Sequence, residues 1–281
     1  MSVRWAIAGL LWLATSLPGW AGELVAHSLA SAALGRSWTY SVYLPDGYAG
    51  GTMRYPVLFF LPGHSVTRGD WSNLSLQRLA DAAIAAGRMP PALIVVPEMG
   101  TTWGVDRKER METALMHDLL PEVERQFRVL PGREGRAIGG ISAGGFAALR
   151  FALKYPDQFA AAALLSPAIY DPEPPPQSGS RRAGVFGEID FDPAVWRALN
   201  YPALLPGFLA SGRTMPLHIA AGDADRLGIE WQAAKLHHIW REHGMPSELR
   251  IIAGGPTYAV WRDLFTGALS FVFHYTAAPA H

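Results

Sequence analysis

One serine in this chain lies in a pattern that suits nucleophilic chemistry. Gly140-Ile141-Ser142-Ala143-Gly144 follows a strand-like segment, residues 136–139, and precedes a helix-like segment, residues 145–153. Glycines on both sides let the backbone turn sharply at Ser142, and the turn lifts the hydroxyl out of the sheet at the start of a helix. A serine in such a strand-turn-helix elbow can reach both a base and a substrate carbonyl. The pattern predicts that Ser142 is a nucleophile for acyl transfer.

An acyl-transfer serine also needs hydrogen-bond donors for the negative charge that develops on the carbonyl oxygen. The backbone N–H of Ala143, directly after the serine, is the first candidate. The strongly apolar segment 56–61 ends in Pro62-Gly63, which makes the backbone N–H of His64 the second candidate. The alternative is that Pro62-Gly63 is only a turn.

The acid should follow the serine along the chain, after a later strand. The apolar segment 217–221 leads into Gly222-Asp223-Ala224-Asp225, a pattern typical of a strand and turn. Asp225 is the first candidate and Asp223 the second, because either carboxylate could accept a hydrogen bond from an imidazole. The remaining aspartate would then cap a helix or turn.

The position expected for the base is occupied by proline. The next strand-like segment ends in Gly254-Gly255-Pro256, and no histidine occurs between His243 and His274, which are better explained by the ends of helices. A serine without a base is a poor nucleophile at neutral pH. His64 is the one histidine that the pattern places near the serine, and it could replace the missing base.

These residues must be positioned by alternating strands and helices. Segments of alternating type predict an α/β fold with a mostly parallel sheet and helices on both faces, a three-layer sandwich. Glu109 to Phe127 is predicted to be one helix, because Leu115, Leu119 and Val123 recur every four residues. The predicted strands are residues 40–44, 56–61, 92–97, 136–139, 161–166, 216–221 and 248–253.

The chain is predicted to carry a leader and a single domain. Residues 1–21 contain Arg4, an apolar run and small residues before a cleavage point after Ala21, which is typical of a secretory signal. The alternative is a membrane anchor, but the run is shorter than the roughly 20 residues that span a bilayer. We therefore expect a periplasmic or secreted protein with one domain over 22–281. Residues 171–192, rich in Pro, Gly and Ser, predict a lid-like loop, or a surface excursion without function.

Composition narrows the range of partners. The 281 residues contain 24 basic and 24 acidic side chains and no cysteine. This balance does not favour binding to nucleic acid or stable association with a membrane after the leader is removed, and no metal or cofactor site is expected. A small-molecule or carbohydrate ester suits such a chain, while the oligomeric state stays open. Aromatic candidates for the substrate cleft are Trp71, Trp103 and Tyr258, with core packing as the alternative role.

Taken together, the motifs resemble a known family. The chain is similar to the esterases of the α/β-hydrolase superfamily that include feruloyl and other carbohydrate esterases, S-formylglutathione hydrolases and mycolyltransferases. The resemblance extends over nearly all of the chain after the leader. It rests on the elbow together with Ser41-Val42-Tyr43-Leu44-Pro45, Pro62-Gly63, Asp70-Trp71, Met111 to Leu115 with Asp118-Leu119, Gly222 to Asp225, and Gly254-Gly255 with Trp261-Arg262.

The resemblance implies roles for particular positions. It implies that Ser142 is the nucleophile, Asp225 the acid, and the amides of His64 and Ala143 the oxyanion hole, without a cofactor. Pro62 stands where relatives commonly have histidine, and Pro256 stands where they read Gly-Gly-His. Three functions stay open: an ester hydrolase, a degenerate hydrolase that binds its ligand without efficient turnover, and an acyltransferase to a sugar or alcohol.

Overall fold

The structure, a computed structural model, describes residues 21–66 and 71–281. The predicted leader, apart from Ala21, lies outside the described residues. Within the described part of the chain, no helix is both long enough and apolar enough to cross a membrane.

A mixed sheet forms the centre of the fold. In the described residues it has eight strands, in the order β1-β2-β4-β3-β5-β6-β7-β8. β1 and β2 run antiparallel to their neighbours, and the strands from β3 to β8 are parallel to one another. Their bounds are β1 Glu23–Ser31, β2 Arg36–Leu44, β3 Val57–Leu61, β4 Leu93–Pro97, β5 Arg136–Ile141, β6 Ala161–Leu165, β7 Leu217–Gly222 and β8 Ser247–Ile252.

The apolar strands are covered on both faces, as their composition predicts. In β3, Val57, Phe59 and Leu61 belong to one buried cluster, while Leu58 and Phe60 belong to the cluster on the opposite face. The predicted α/β fold with helices on both faces is confirmed. The α-helices are α1 Trp71–Leu74, α2 Leu76–Ala85, α3 Met111–Thr113, α4 Leu120–Gln126, α5 Ala143–Lys154, α6 Pro193–Leu199, α7 Tyr201–Ala210, α8 Ile229–Glu242 and α9 Tyr258–His274.

The segment expected to be one helix from Glu109 to Phe127 is divided. α3 passes into a π-helix over Ala114–Leu119, and α4 follows. Pro121, in the first turn of α4, has no N–H and cannot continue a regular α-helical ladder, so the preceding turn widens. The predicted apolar stripe is buried nevertheless.

The parallel strands end close to one level. Ile141 pairs with Leu165, Leu165 pairs with Ala220, and Ala220 pairs with Arg250. The residues that follow β5, β6, β7 and β8 therefore gather at one edge of the sheet, where parallel folds place their ligands.

Candidate functional site

Ser142 occupies a sharp turn between β5 and α5. Its backbone has φ 54° and ψ −115°, a left-handed conformation that costs a residue with a side chain roughly 1–3 kcal/mol. The surrounding structure holds it there: its N–H donates to Leu165 O at 2.9 Å, and its carbonyl accepts from the N–H groups of Phe146 at 3.0 Å and Ala168 at 3.1 Å. The elbow geometry predicted from the glycines is thus present in the structure.

Glycines at the elbow allow a close backbone approach. A Cβ on Gly140 would overlap the carbonyl of Gly144, and a Cβ on Gly144 would overlap the carbonyl oxygens of Leu61 and Pro62. The start of α5 thereby packs directly on the turn that leaves β3. This contact brings the two predicted oxyanion segments together.

The two proposed oxyanion donors lie on these touching segments. A Cβ on Gly63 would be only 3.8 Å from the Cβ of Ser142, so the turn that carries His64 borders the serine. Among the residues described, no backbone carbonyl accepts from the N–H of His64 or of Ala143. Both N–H groups lie on segments that border Ser142, and their role as oxyanion donors stays a prediction.

The His64 side chain has a partner that the sequence did not indicate. The indole Nε1–H of Trp103 donates to His64 Nδ1 at 3.0 Å. Partial burial lowers the pKa of His64 below its ordinary value, which favours the neutral ring. His64 and Trp103 follow neighbouring parallel strands, β3 and β4, and this adjacency would have been the signal for the contact.

Trp103 packs in an aromatic cluster beneath the site. It is 4% exposed, so of the two roles left open for it, cleft lining and core packing, its burial favours core packing. Its ring centroid lies 5.6 Å from that of Phe146, 5.3 Å from that of Phe186 and 6.4 Å from that of Trp196. Because Phe146 belongs to α5, this cluster supports the elbow from below.

Phe186 connects this cluster to the predicted lid-like loop, residues 171–192. Phe186 is buried against Trp196, with ring centroids 4.8 Å apart, whereas Ile189 is 95% exposed. The loop is therefore anchored by an aromatic side chain and carries an exposed apolar one. Its function as a lid stays a prediction.

The two candidate acids have different surroundings. Asp225 is 6% exposed, and its Oδ1 accepts from the N–H of Leu227 at 2.8 Å. Its Oδ2 is buried without a hydrogen-bond partner among the described residues. Asp223 is exposed, and its Oδ1 accepts from the N–H of Gly254 at 3.0 Å. Asp225 thus has a buried oxygen that lacks a donor, while Asp223 joins two turns.

Tyr170 lies close enough to Asp225 for the charge of the carboxylate to affect the pKa of the phenol. Burial raises the pKa of the Tyr170 phenol to about 12, and the negative charge of Asp225 adds to this effect while a hydrogen bond from Ser178 opposes it. The phenol therefore stays protonated at neutral pH and cannot serve as a base there.

Pro256 is exposed on the turn after β8. Hydrogen bonds join this turn to the turn after β7, which carries Asp225. The N–H of Ala224 donates to Gly254 O at 2.9 Å, and the Asp223 bond to Gly254 adds a second link. Position 256, at which the resemblance predicts histidine, is therefore only two residues from backbone that is bonded to the turn carrying Asp225. A proline there offers no proton acceptor.

Ser166 is a residue of this edge that the sequence reasoning missed. It follows β6 with φ 42° and is 1% exposed, and its Oγ accepts from Trp261 Nε1 at 3.1 Å. The bond joins the exit of β6 to α9, the helix that begins just after Pro256. The positive φ of Ser166 could not be predicted from residue preferences, because serine does not favour φ above zero.

The remaining predicted site residues lie along the same edge. Tyr258 is half-buried at the start of α9 and meets Trp261 edge to face at 5.2 Å. Trp71 begins α1, and its side chain is not among those described. In the described ranges, no group of three or more His, Asp or Glu residues is arranged to hold a metal ion.

The fold and elbow define the class of protein, an α/β-hydrolase fold. A family model described as "Putative esterase" matches residues 31–272, and the chain belongs to this esterase family. A solved structure of a ferulic acid esterase superposes with a TM-score of 0.77 over 91% of this chain and 99% of that one, at 23% identity. At that identity the likeness concerns the fold.

Two curated relatives match part of the chain. Esterase Rv1288 of Mycobacterium tuberculosis is 33% identical over 143 residues, 48% of this chain and 30% of its own length. An endo-1,4-beta-xylanase/feruloyl esterase of Xylanibacter ruminicola is 32% identical over 164 residues, 54% of this chain and 22% of its own length. The chain thus spans less than a third of the length of either relative.

Proposed function

We propose that the chain is a serine carboxylic-ester hydrolase that acts through Ser142 and turns over slowly because position 256 supplies no base. The observation that carries this proposal is the strained elbow at Ser142, with φ 54°, beside the Gly63 turn. Unfavourable backbone geometry persists where the surrounding structure enforces it, and such enforcement is typical of nucleophile elbows.

The chemistry proceeds in two steps. The Ser142 Oγ attacks the ester carbonyl carbon, the C–O bond to the alcohol breaks, and the alcohol leaves with a proton while an acyl-serine forms. Water then attacks the acyl carbon, which releases the carboxylic acid and restores the hydroxyl. The N–H groups of His64 and Ala143 would stabilise the oxyanion in both steps.

We attribute the slow rate to Asp225 and to the residue that stands near it at position 256. Asp225 keeps a buried oxygen without a donor in the described part of the chain, and Pro256, on the attached turn, has no imidazole to offer it. General base catalysis contributes about 10²- to 10⁴-fold to rate. We expect the native chain to lack this factor but to retain the contribution of the oxyanion donors.

The test compares hydrolysis of p-nitrophenyl acetate by the native protein and by Pro256→His. We expect kcat/KM to rise about 10²- to 10⁴-fold in Pro256→His. Pro256→Ala is the matched control, since it relaxes the turn without adding a base and should stay slow. Ser142→Ala in the Pro256→His background should abolish the gain.

Two outcomes would contradict the proposal. A folded Pro256→His protein no faster than Pro256→Ala would mean that residue 256 does not face the serine and acid. A native protein that is already fast, and that loses its activity in Ser142→Ala, would mean that another residue is the base.

The substrates to screen first are small esters and esters of carbohydrates. One relative is named as a feruloyl esterase, which supports aromatic acyl groups linked to sugars as the first choice. Transfer of the acyl group to a sugar or alcohol uses the same serine, and product analysis with a competing alcohol would distinguish it from hydrolysis.

A second function is a ligand-binding protein without turnover. The exposed Pro256 and the Asp225 oxygen that lacks a donor among the described residues support it, because a proline at the expected base position has no proton acceptor in its side chain. Under this function, esters would bind the native protein with no Ser142-dependent release of acid.

We further propose that residues 1–21 direct export to the periplasm or the medium. The apolar run after Arg4 supports this. The N-terminal residue of the protein recovered from the periplasm tests it, and we expect processing after Ala21.

A further inference from the structure

The hydrogen bond between Trp103 and His64 fixes which nitrogen of the imidazole carries a proton. An indole N–H can only donate, so the His64 Nδ1 atom at 3.0 Å must provide the lone pair. In a neutral ring the proton then lies on Nε2. Partial burial lowers the pKa of His64, which favours this neutral ring at pH 7.

Trp103 is held rigidly enough to impose this tautomer. Its ring is buried among Phe146, Phe186 and Trp196, and its backbone has φ 54°. The next residue, Gly104, packs so closely on α5 that a Cβ would lie 2.7 Å from the Cβ of Ala147. The loop cannot shift easily, so the indole direction is set by the core.

The same contact argues against His64 as the replacement base. A base at Nε2 would need its proton on Nδ1, where it would face the indole N–H of Trp103. Two donors would then meet, and the loss of the bond to a buried indole would cost about 1–3 kcal/mol. His64 follows the turn that borders Ser142, but the contact with Trp103 favours the form of its ring that donates at Nε2.

His64 follows directly after the turn that borders Ser142. His64 is exposed, and Gly63, the residue before it, borders Ser142. We infer that His64 contacts the bound ester as a hydrogen-bond donor from Nε2, taking an acceptor oxygen of the ester, and that Trp103 is the positioning residue that holds this tautomer. The inference rests on the proposed function for the nature of the ligand, while the tautomer itself does not depend on it.

The first experiment measures the tautomer directly. Long-range ¹H–¹⁵N spectra of protein labelled at histidine report which ring nitrogen is protonated, and the His64→Gln spectrum assigns the His64 signals. We expect protonated Nε2 in the native protein and a mixture of tautomers in Trp103→Phe, which keeps an aromatic ring but loses the N–H. Protonated Nδ1 in the native protein would overturn the inference.

The second experiment tests contact without turnover. p-Nitrophenyl acetate is titrated into the Ser142→Ala protein, and the ring signals of His64 are followed, with the exposed His238 as the internal control. We expect the His64 Nε2 and Hε2 signals to shift with saturation while those of His238 stay fixed. Saturable binding without a His64 shift would overturn the contact, and the absence of any binding would overturn it as well.

The third experiment separates donation from structure by kinetics in the Pro256→His background. His64→Phe removes the donor and should lower kcat/KM about 10- to 100-fold, as expected for one hydrogen bond to an ester oxygen that becomes negatively charged in the transition state. His64→Gln, whose amide can donate from a similar position, should recover at least part of that loss. If His64→Phe and His64→Gln both have the same kcat/KM as the Pro256→His protein, the inference fails. An inactive Pro256→His protein with the expected tautomer and His64 shift would instead contradict only the proposed function.

Discussion

The Oδ1 atom of Asp223 accepts the backbone N–H of Gly254 at 3.0 Å, and this bond connects the turn after β7 to the turn after β8. The first turn carries Asp225 and the second carries Pro256. The less buried aspartate thus joins the two turns, and under the proposed function the more buried one supplies the catalytic carboxylate.

We predict that the two aspartates respond differently to amide substitution. Asp225→Asn removes a buried charge that has one oxygen without a donor in the described chain, so unfolding free energy should stay level or rise by about 1 kcal/mol. In the Pro256→His background the same change should lower kcat at least about 10²-fold, because an amide does not orient and stabilise an imidazolium. Urea unfolding and ester kinetics measure the two effects.

Asp223→Asn is the control for this prediction. It keeps an acceptor oxygen for Gly254 and is exposed, so neither stability nor the activity of the Pro256→His protein should change more than about twofold. Equal losses of activity in both variants would remove the distinction between Asp225 and Asp223.

Backbone strain at Ser142 should lower the free energy of unfolding by an amount that can be measured. Ser142 has φ 54°, a region that glycine adopts freely, so Ser142→Gly should be more stable than Ser142→Ala by about 1 kcal/mol or more. Thermal or urea unfolding checks the difference. At Ser28, an exposed β1 residue whose φ is not positive, the order should reverse, because glycine weakens a strand. The same order at both sites would mean that the elbow is not strained.

A buried ion pair supports the elbow helix from its far end. Glu112 in α3 pairs with Arg150 of α5 at 2.9 Å, with side chains 6% and 4% exposed. Burial raises the pKa of Glu112, but hydrogen bonds from Lys154 and Tyr155 and the charge of Arg150 outweigh this and lower it overall. Glu112→Gln leaves a buried guanidinium without its counter-charge and should lower unfolding free energy by about 3–5 kcal/mol.

The surface pair Arg36–Glu109 provides the matched control for this measurement. Its side chains are 48% and 42% exposed, so Glu109→Gln should cost less than about 1 kcal/mol in the same urea titration. A loss in Glu112→Gln as small as that in Glu109→Gln would show that the buried pair contributes no more than an exposed one.

Stability should fall in mild acid because of a histidine remote from the site. His218 in β7 is fully buried, and burial lowers its pKa to about 4, although the charge of Glu248 acts in the opposite direction. Glu248 Oε1 lies 3.4 Å from His218 Nδ1 and already accepts from Arg250 at 2.8 Å, so it compensates little. The unfolded chain binds this proton near pH 6.5 and the folded chain only near pH 4.

The free energy of unfolding therefore decreases as pH falls from about 6.5 to about 4, by about 3 kcal/mol in total. Urea unfolding at pH 7 and pH 4.5 should show this loss in the native protein and a smaller loss in His218→Leu. His238→Gln, on the exposed face of α8, should behave like the native protein. An identical acid loss in His218→Leu would assign the effect to other groups.

Local sequence rules were sufficient where apolar runs or glycines determine the backbone. The central strands and the elbow at Ser142 follow from such signals. β1, Glu23–Ser31, was not predicted, because it is an edge strand whose small residues alternate with few large apolar ones and bury a single face. The π-helix before Pro121 was missed because its buried stripe has the same spacing as an α-helix.

Side-chain contacts between strand exits could not be predicted from one sequence. Trp103 and His64 are 39 residues apart, and their contact depends on β3 and β4 being neighbours, which fixes the partner only after the strand order is known. The same holds for Ser166 and Trp261, 95 residues apart. Each pair joins residues that are distant along the chain and meet only in the folded structure.

Because Pro256 is exposed, selection for a stable fold and selection for turnover act differently on this position. A side chain at this position packs in no core, so replacing it changes the fold's stability little, and pressure to keep the protein folded does not decide which residue stands there. Under the proposed function, selection for turnover acts on this position. If position 256 is the base position, as proposed, then the residue found there records whether rapid ester cleavage is under selection. One substitution at this exposed position would change the reaction rate without repacking the protein.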